Sequence, residues 1–203
     1  MNFRAILATL GIALAFSVQA PAENLPADHP ANALVKQYLE NVAKQDWKTV
    51  SSMLQPTFLE RRRLSLINNV KNSETMSMEA AKLAMLGVKD VKELEKMTPQ
   101  EAFIADREAV HKRMKVSPED LKKKQESLQI NVLGLVPEDG GKIVHALVRT
   151  SQDTTKVKID ELLLVSLIQD KEDAKKWHIV PDMQQPIATE LGTNKPAVAP
   201  AAP

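Results

Sequence analysis

His145 stands in an alternating segment, Ile143 to Thr150, and two carboxylates follow at a distance that brings one of them across a hairpin from it. If Ser151 pairs with Thr154 around a two-residue loop, the imidazole faces Asp160; a three-residue loop pairs Ser151 with Thr155 and places it opposite Glu161. Either partner would orient the ring for proton transfer. The two registers put the pair on opposite faces of the sheet, because a one-residue slip swaps every side chain. The first also sets Arg149 against Lys156, a like-charge pair, whereas the second stacks Leu147 on Ile159 and Ile143 on Leu163. The plain alternative in both cases is a solvated cross-strand contact.

Other chemistry is sparse. The six glycines, at 11, 87, 134, 140, 141 and 192, allow neither a dinucleotide fingerprint nor a P-loop. His29, His111, His145 and His178 are too scattered to imply a metal site from spacing, and no cysteine is present to supply a thiolate or a disulfide. Neither a nucleophile elbow nor an H-E-x-x-H motif occurs. Arg61-Arg62-Arg63 could clamp an anion, but a helix spreads three successive residues over about 200° of its surface, and Arg63 falls on an apolar stripe. Those arginines, like Lys122-Lys123-Lys124, suit a solvated face. The residues imply no cofactor.

Lys and Arg total 27 against 26 Asp and Glu, so there is no basic field to hold nucleic acid. Aromatic residues are 3% of the chain, too few for base-stacking platforms. At 203 residues and 43% hydrophobic, the length fits one domain with appendages.

The segment at 1–22 has the form of a signal peptide. Arg4 gives a short positive region, Ala5 to Val18 is an apolar run too short to span a bilayer, and Ala20 and Ala22 supply small residues before a cut. Cleavage after Ala20 would leave Pro21 first, so cleavage after Ala22 is expected, leaving Glu23 to begin a periplasmic or secreted chain with no membrane span. The tail at 186–203 is Pro/Ala-rich with nothing to bury and should be disordered.

Between these ends, 23–185, the pattern is helical first and alternating afterwards. Asp28 with Pro30 predicts a helix start, and Leu34, Val35, Tyr38, Leu39 and Val42 share one face. Asp46 caps a short helix carrying Trp47, and Pro56 opens a third that runs to Lys71. Further helices follow from Ser77 to Leu86 and from Asp90 to Met97. Thr98-Pro99-Gln100-Glu101 is a capping box opening a helix to Met114, and Ser117-Pro118-Glu119-Asp120 opens a short one to Gln125. The period then changes to two, with strands expected at 128–136, 143–150, 155–168 and 176–181 and a glycine turn at 137–141. Helices followed by a meander make an α+β domain, with helices covering one face of a four-stranded antiparallel sheet. Leu162-Leu163-Leu164-Val165 places apolar groups on both faces of its strand. The outer face then calls for a partner: the helical insertion, or a second copy in a homodimer.

Two stretches carry a resemblance. Ala33 to Leu54 has an amphipathic helix, a turn at an acidic residue and a short helix ending in a hydrophobic pair, and Lys175-Lys176-Trp177-His178-Ile179-Val180 reads as a closing strand. Both are similar to the ketosteroid-isomerase-like, or nuclear transport factor 2-like, superfamily, over about half of the chain left after the signal segment. The resemblance implies a curved, cone-shaped, cystatin-like sheet wrapped on helices around a pocket, and sheet-to-sheet dimers. It also implies Tyr38 as an oxyanion-type donor, from its spacing to Asp46. The aspartate base of the family's isomerases has no counterpart in Gln55 to Arg63, and the helical block at 72–125 is larger than the family pattern and could plug the cone.

These readings favour an exported, non-catalytic domain binding a small apolar ligand or a protein partner, with Tyr38, His145, Glu161 and Trp177 as candidate ligand-binding residues. A cofactor-free isomerase or dehydratase using Tyr38 and His145 with a cross-strand carboxylate is one alternative. A structural accessory domain of the cell envelope is another.

Overall fold

The structure, a computed structural model, describes residues 24–181. The chain is α+β: within the described residues seven helices precede an open four-stranded antiparallel sheet in the order β1-β2-β3-β4. The helices are α1 (Pro30–Lys44), α2 (Trp47–Met53), α3 (Pro56–Lys71), α4 (Met76–Leu86), α5 (Val91–Lys96), α6 (Pro99–Met114) and α7 (Pro118–Ser127). The strands are β1 (Gln129–Glu138), β2 (Ile143–Asp153), β3 (Lys158–Gln169) and β4 (Trp177–Ile179). The expected signal segment and Pro/Ala tail lie outside the described residues.

Helix starts follow local chemistry. Asp46, Thr75, Asp90, Thr98 and Ser117 each accept a hydrogen bond from a backbone N–H in the first turn of the helix they precede. At Thr98 the reciprocal bond from Glu101 completes the capping box. α1 departs from the expectation by one residue. His29, not Asp28, is its N-cap, and the ring Nδ1 accepts from the Ala31 N–H at 3.2 Å. Gly87 ends α4 at φ 74°, a left-handed conformation that glycine adopts without a Cβ penalty.

Around the second turn β2 runs longer, and β3 starts later, than expected. β2 runs on to Asp153 and β3 begins only at Lys158, so Ser151 pairs with Asp160 rather than with Thr154 or Thr155. Thr154 explains the shift: its N–H donates to the Val157 carbonyl, and its hydroxyl oxygen accepts from the Lys156 and Val157 N–H groups. A compact loop thus forms at 154–157, three residues later than the composition implied. β1 carries a bulge at Leu133 and extends through Pro137 and Glu138, which proline tolerates because β1 is an edge strand.

Alternation sorts the sheet into two faces. Val144, Ala146 and Val148 of β2, Val165 and Leu167 of β3, Leu135 of β1 and Ile179 of β4 form one buried layer. Against it pack Ala31 and Val35 of α1, Val50 and Met53 of α2, Leu59 of α3 and Phe103 of α6. The helical insertion thus reaches the main core through Phe103. Beyond it, Ile67, Val70, Leu83, Val88 and Leu94 make a second cluster among α3, α4 and α5. On the other face Leu162 stays 58% exposed and Val136 and Leu133 are also open, so among the described residues the helices cover one side of the sheet only.

Candidate functional site

A cleft of about 310 Å³ opens at the side of the helical layer, where α1, α2, α6 and α7 meet the end of β2. Each wall comes from a short run of sequence. Val42 and Ala43 lie in the last turns of α1; Gln45, left-handed at φ 59°, then turns the chain so that Trp47 starts α2 over the opening. From α6 come Arg107, Val110, His111 and Met114, spaced at i, i+3, i+4 and i+7 and therefore one stripe of a single helix. Val116 follows, Leu121 and Lys124 stand one turn apart on α7, and Gln152 closes the site from β2.

α7 buries no residue of its own and is held by polar contacts. Asp120 Oδ1 accepts from the Thr155 N–H and hydroxyl, Ser127 Oγ accepts from the Asp153 N–H at 2.7 Å, and Gln125 Nε2 donates to the Ala43 carbonyl at 3.0 Å. Those bonds join it to the β2–β3 loop, to β2 and to α1, and so fix the outer wall. The interior is largely apolar, with the Arg107 guanidinium, the His111 ring, the Lys124 ammonium and two amides as its polar groups. Arg107 is itself oriented: Nη2 donates to Asp106 Oδ2 at 2.6 Å, and the guanidinium carbon lies 5.8 Å from the Phe103 ring centre.

The four candidate residues do not assemble. Tyr38 packs against the main core, one helical turn before Val42; burial pushes its hydroxyl above the ordinary value, while the Arg107 charge pulls it partly back. Trp177 packs on the same core at β4, with the His29 ring edge-on at 5.5 Å and 72°. Glu161 pairs with Thr150 and lines an open hollow at the free edge of β3 with Arg149, Asp160 and Leu162.

His145 lies on the face away from the helices, opposite Ser166, and neither Asp160 nor Glu161 is its partner. Its carboxylate comes from the other neighbouring strand: Nε2 is 2.6 Å from Glu138 Oε2, and Nδ1 is 2.9 Å from Ser166 Oγ. With the ring neutral, those partners fix Nε2–H as donor to the carboxylate and Nδ1 as acceptor from the serine O–H. Ser166 is fully buried, so this chain cross-links β1, β2 and β3 and presents no nucleophile. Tyr38 and His145 thus occupy opposite sides of the sheet and cannot act on one reacting atom.

A second pair, His178 Nε2 with Asp170 Oδ2 at 2.8 Å, ties β4 to the loop before it. That contact, with two backbone N–H donors, holds the Asp170 carboxyl down at about 2. Among the described residues no group of three or more His, Cys, Asp or Glu could hold a metal ion.

Glu138 escaped the sequence reading because Pro137-Glu138 has turn composition, though it ends a strand. The α6 stripe was legible in principle: once the capping box sets the helix phase, Arg107, Val110, His111 and Met114 must share a side. What faces that side depends on where α7 docks.

No family model, no curated protein and no solved structure matches this chain.

Proposed function

We propose that this chain is an exported, non-catalytic binding domain that takes a small apolar ligand into the cleft between α1, α2, α6 and α7. The observation that carries the reading is the cleft itself: about 310 Å³, walled by Val42, Trp47, Val110, Met114 and Leu121, with few polar groups to orient a guest. Small-molecule sites have this size and this balance of apolar wall to sparse polar contact. The bulge in β1 and the one-sided helical cover support the cone-shaped, ketosteroid-isomerase-like layering that the two end motifs resemble. Arg4, the apolar run to Val18 and Ala22 support export, with Glu23 as the mature first residue.

The test is titration with N-phenyl-1-naphthylamine, a neutral apolar fluorophore. Saturable enhancement is expected, with energy transfer from tryptophan that falls in Trp47→Phe. Val116→Trp, which fills the cleft from its half-exposed rim, should abolish binding while leaving the unfolding temperature in place. Binding unaffected by Val116→Trp would remove the assignment.

A second reading concerns two copies of the chain. Leu162 at 58% exposure, with Val136 and Leu133, leaves an apolar patch on the outer face of the sheet. Arg149 and Asp160 flank Leu162, and a two-fold arrangement would let each arginine meet the other copy's carboxylate. We propose homodimerisation through this face.

A further inference from the structure

We propose that a second cleft, between α3, α4 and α6, binds an amphipathic carboxylate: one carboxylate head on an apolar tail. This cleft, of about 330 Å³, lies on the far side of α6 from the first and shares only Val110 with it. The inference stands independently of the function proposed above.

The floor is apolar. Leu66 and Val70 of α3, Met85 and Leu86 of α4 and Ala109 of α6 line it. The charges facing it are Arg62 of α3, Lys82 of α4, and Asp106 and Arg113 of α6. Asp106 is already matched, because its Oδ2 accepts from Arg62 Nη2 at 2.8 Å and from Arg107 Nη2 at 2.6 Å. Lys82 Nζ donates to the Asn69 carbonyl at 2.7 Å, which fixes the ammonium across the cleft but leaves its charge unneutralised. Arg113 has no hydrogen-bond or ion-pair partner among the described residues. The site therefore holds two uncompensated positive charges, one of them a guanidinium with its whole donor fork free.

A guanidinium fork matches a carboxylate in two parallel hydrogen bonds, and the fixed ammonium offers a third donor. The apolar floor gives a tail somewhere to leave water. Inorganic phosphate would meet the cations but gain nothing from the floor, and a neutral amphiphile would leave the cations unmatched. Burying Met85, an exposed and adaptable side chain, would let the floor follow tails of different shape.

The probe is octanoate, observed by methyl NMR on protein labelled at the methionine methyls. Met85 lines this cleft and Met114 lines the other, so the two sites report separately. Saturable movement of the Met85 resonance is expected, with Met114 unmoved. Octan-1-ol should bind at least about tenfold more weakly, and the exposed-site variant Arg113→Glu should weaken octanoate by about tenfold or more. Ser65→Trp, also at an exposed position, should block the cleft mouth and abolish the shift. The proposal is overturned by octanol binding as tightly as octanoate, or by inorganic phosphate moving Met85 as effectively. It also fails if Arg113→Glu leaves the affinity unchanged, if Met114 moves in place of Met85, or if nothing moves up to about 10 mM octanoate. Failure of the neutral fluorophore at the first cleft would leave this result untouched.

Discussion

Asp120 and Thr155 lie 35 positions apart, and the carboxylate of the one accepts both the N–H of the other, at 2.8 Å, and its hydroxyl, at 2.6 Å. That contact fastens a helix with no buried residue to the loop between the two longest strands. With the Ser127–Asp153 and Gln125–Ala43 bonds it holds the outer wall of the first cleft.

The contact makes the wall pH-dependent. Thr155, helped by Ser117, lowers the Asp120 carboxyl from 3.8 to about 2. A folded value below the unfolded one means that the contribution to stability is present in full above about pH 4 and lost as pH falls through about 2. Asp120→Asn should therefore lower the urea midpoint at pH 7, and its deficit against the parent chain should close between pH 4 and pH 2. A deficit that is constant over that range would show that the charge is irrelevant. Binding of the neutral fluorophore should weaken in Asp120→Asn at pH 7 as the α7 wall loosens.

Asp106 sits almost buried between Arg62 and Arg107 and couples the two clefts through α6. Removing it strands two cations, one on each side. Because both guanidiniums remain about one-third exposed, the cost is below that of a fully buried pair. Asp106→Ala should lose about 2 kcal/mol by denaturant unfolding. Asp106→Asn, which keeps an acceptor, should lose less.

The cluster around Leu94 is separate from the core beneath the sheet. Leu94 is fully buried among α3, α4 and α5, so Leu94→Ala should cost about 3 kcal/mol. Hydrogen exchange should quicken first at the amides of α4 and α5, with β2 and β3 amides protected until global unfolding. Uniform loss of protection would mean that the two clusters open as one unit.

Leu162 reports on self-association. Leu162→Lys places a charge in the middle of the outer-face patch without touching the core layer. Light scattering at micromolar concentration should give a dimer mass for the parent chain and a monomer mass for the variant. A monomer mass for both would end the homodimer reading.

The elements were largely written in the sequence, because their determinants are local. Asp46, Thr98 and Ser117 announce helix starts through side chains that reach no more than three residues ahead, and Pro56 fixes the start of α3 within its own ring. The change of period after Gln125 separated helices from strands, since alternation is a property of neighbours. What the sequence could not determine was every relationship that depends on a loop's internal bonds or on one element docking on another. Thr154 closing its loop on Val157 moved the β2–β3 register by several residues, which took Asp160 and Glu161 away from His145 and left Glu138 beside it. Tyr38 and His145 each have suitable chemistry, but only the sheet between them decides that they never meet. Both clefts are of the same kind: Arg107 and His111 face one, Asp106 and Arg113 the other, and α6 carries all four on opposite sides. Their residue types were legible one by one, but cavities are made by the packing of distant segments, and that information belongs to no single stretch of chain.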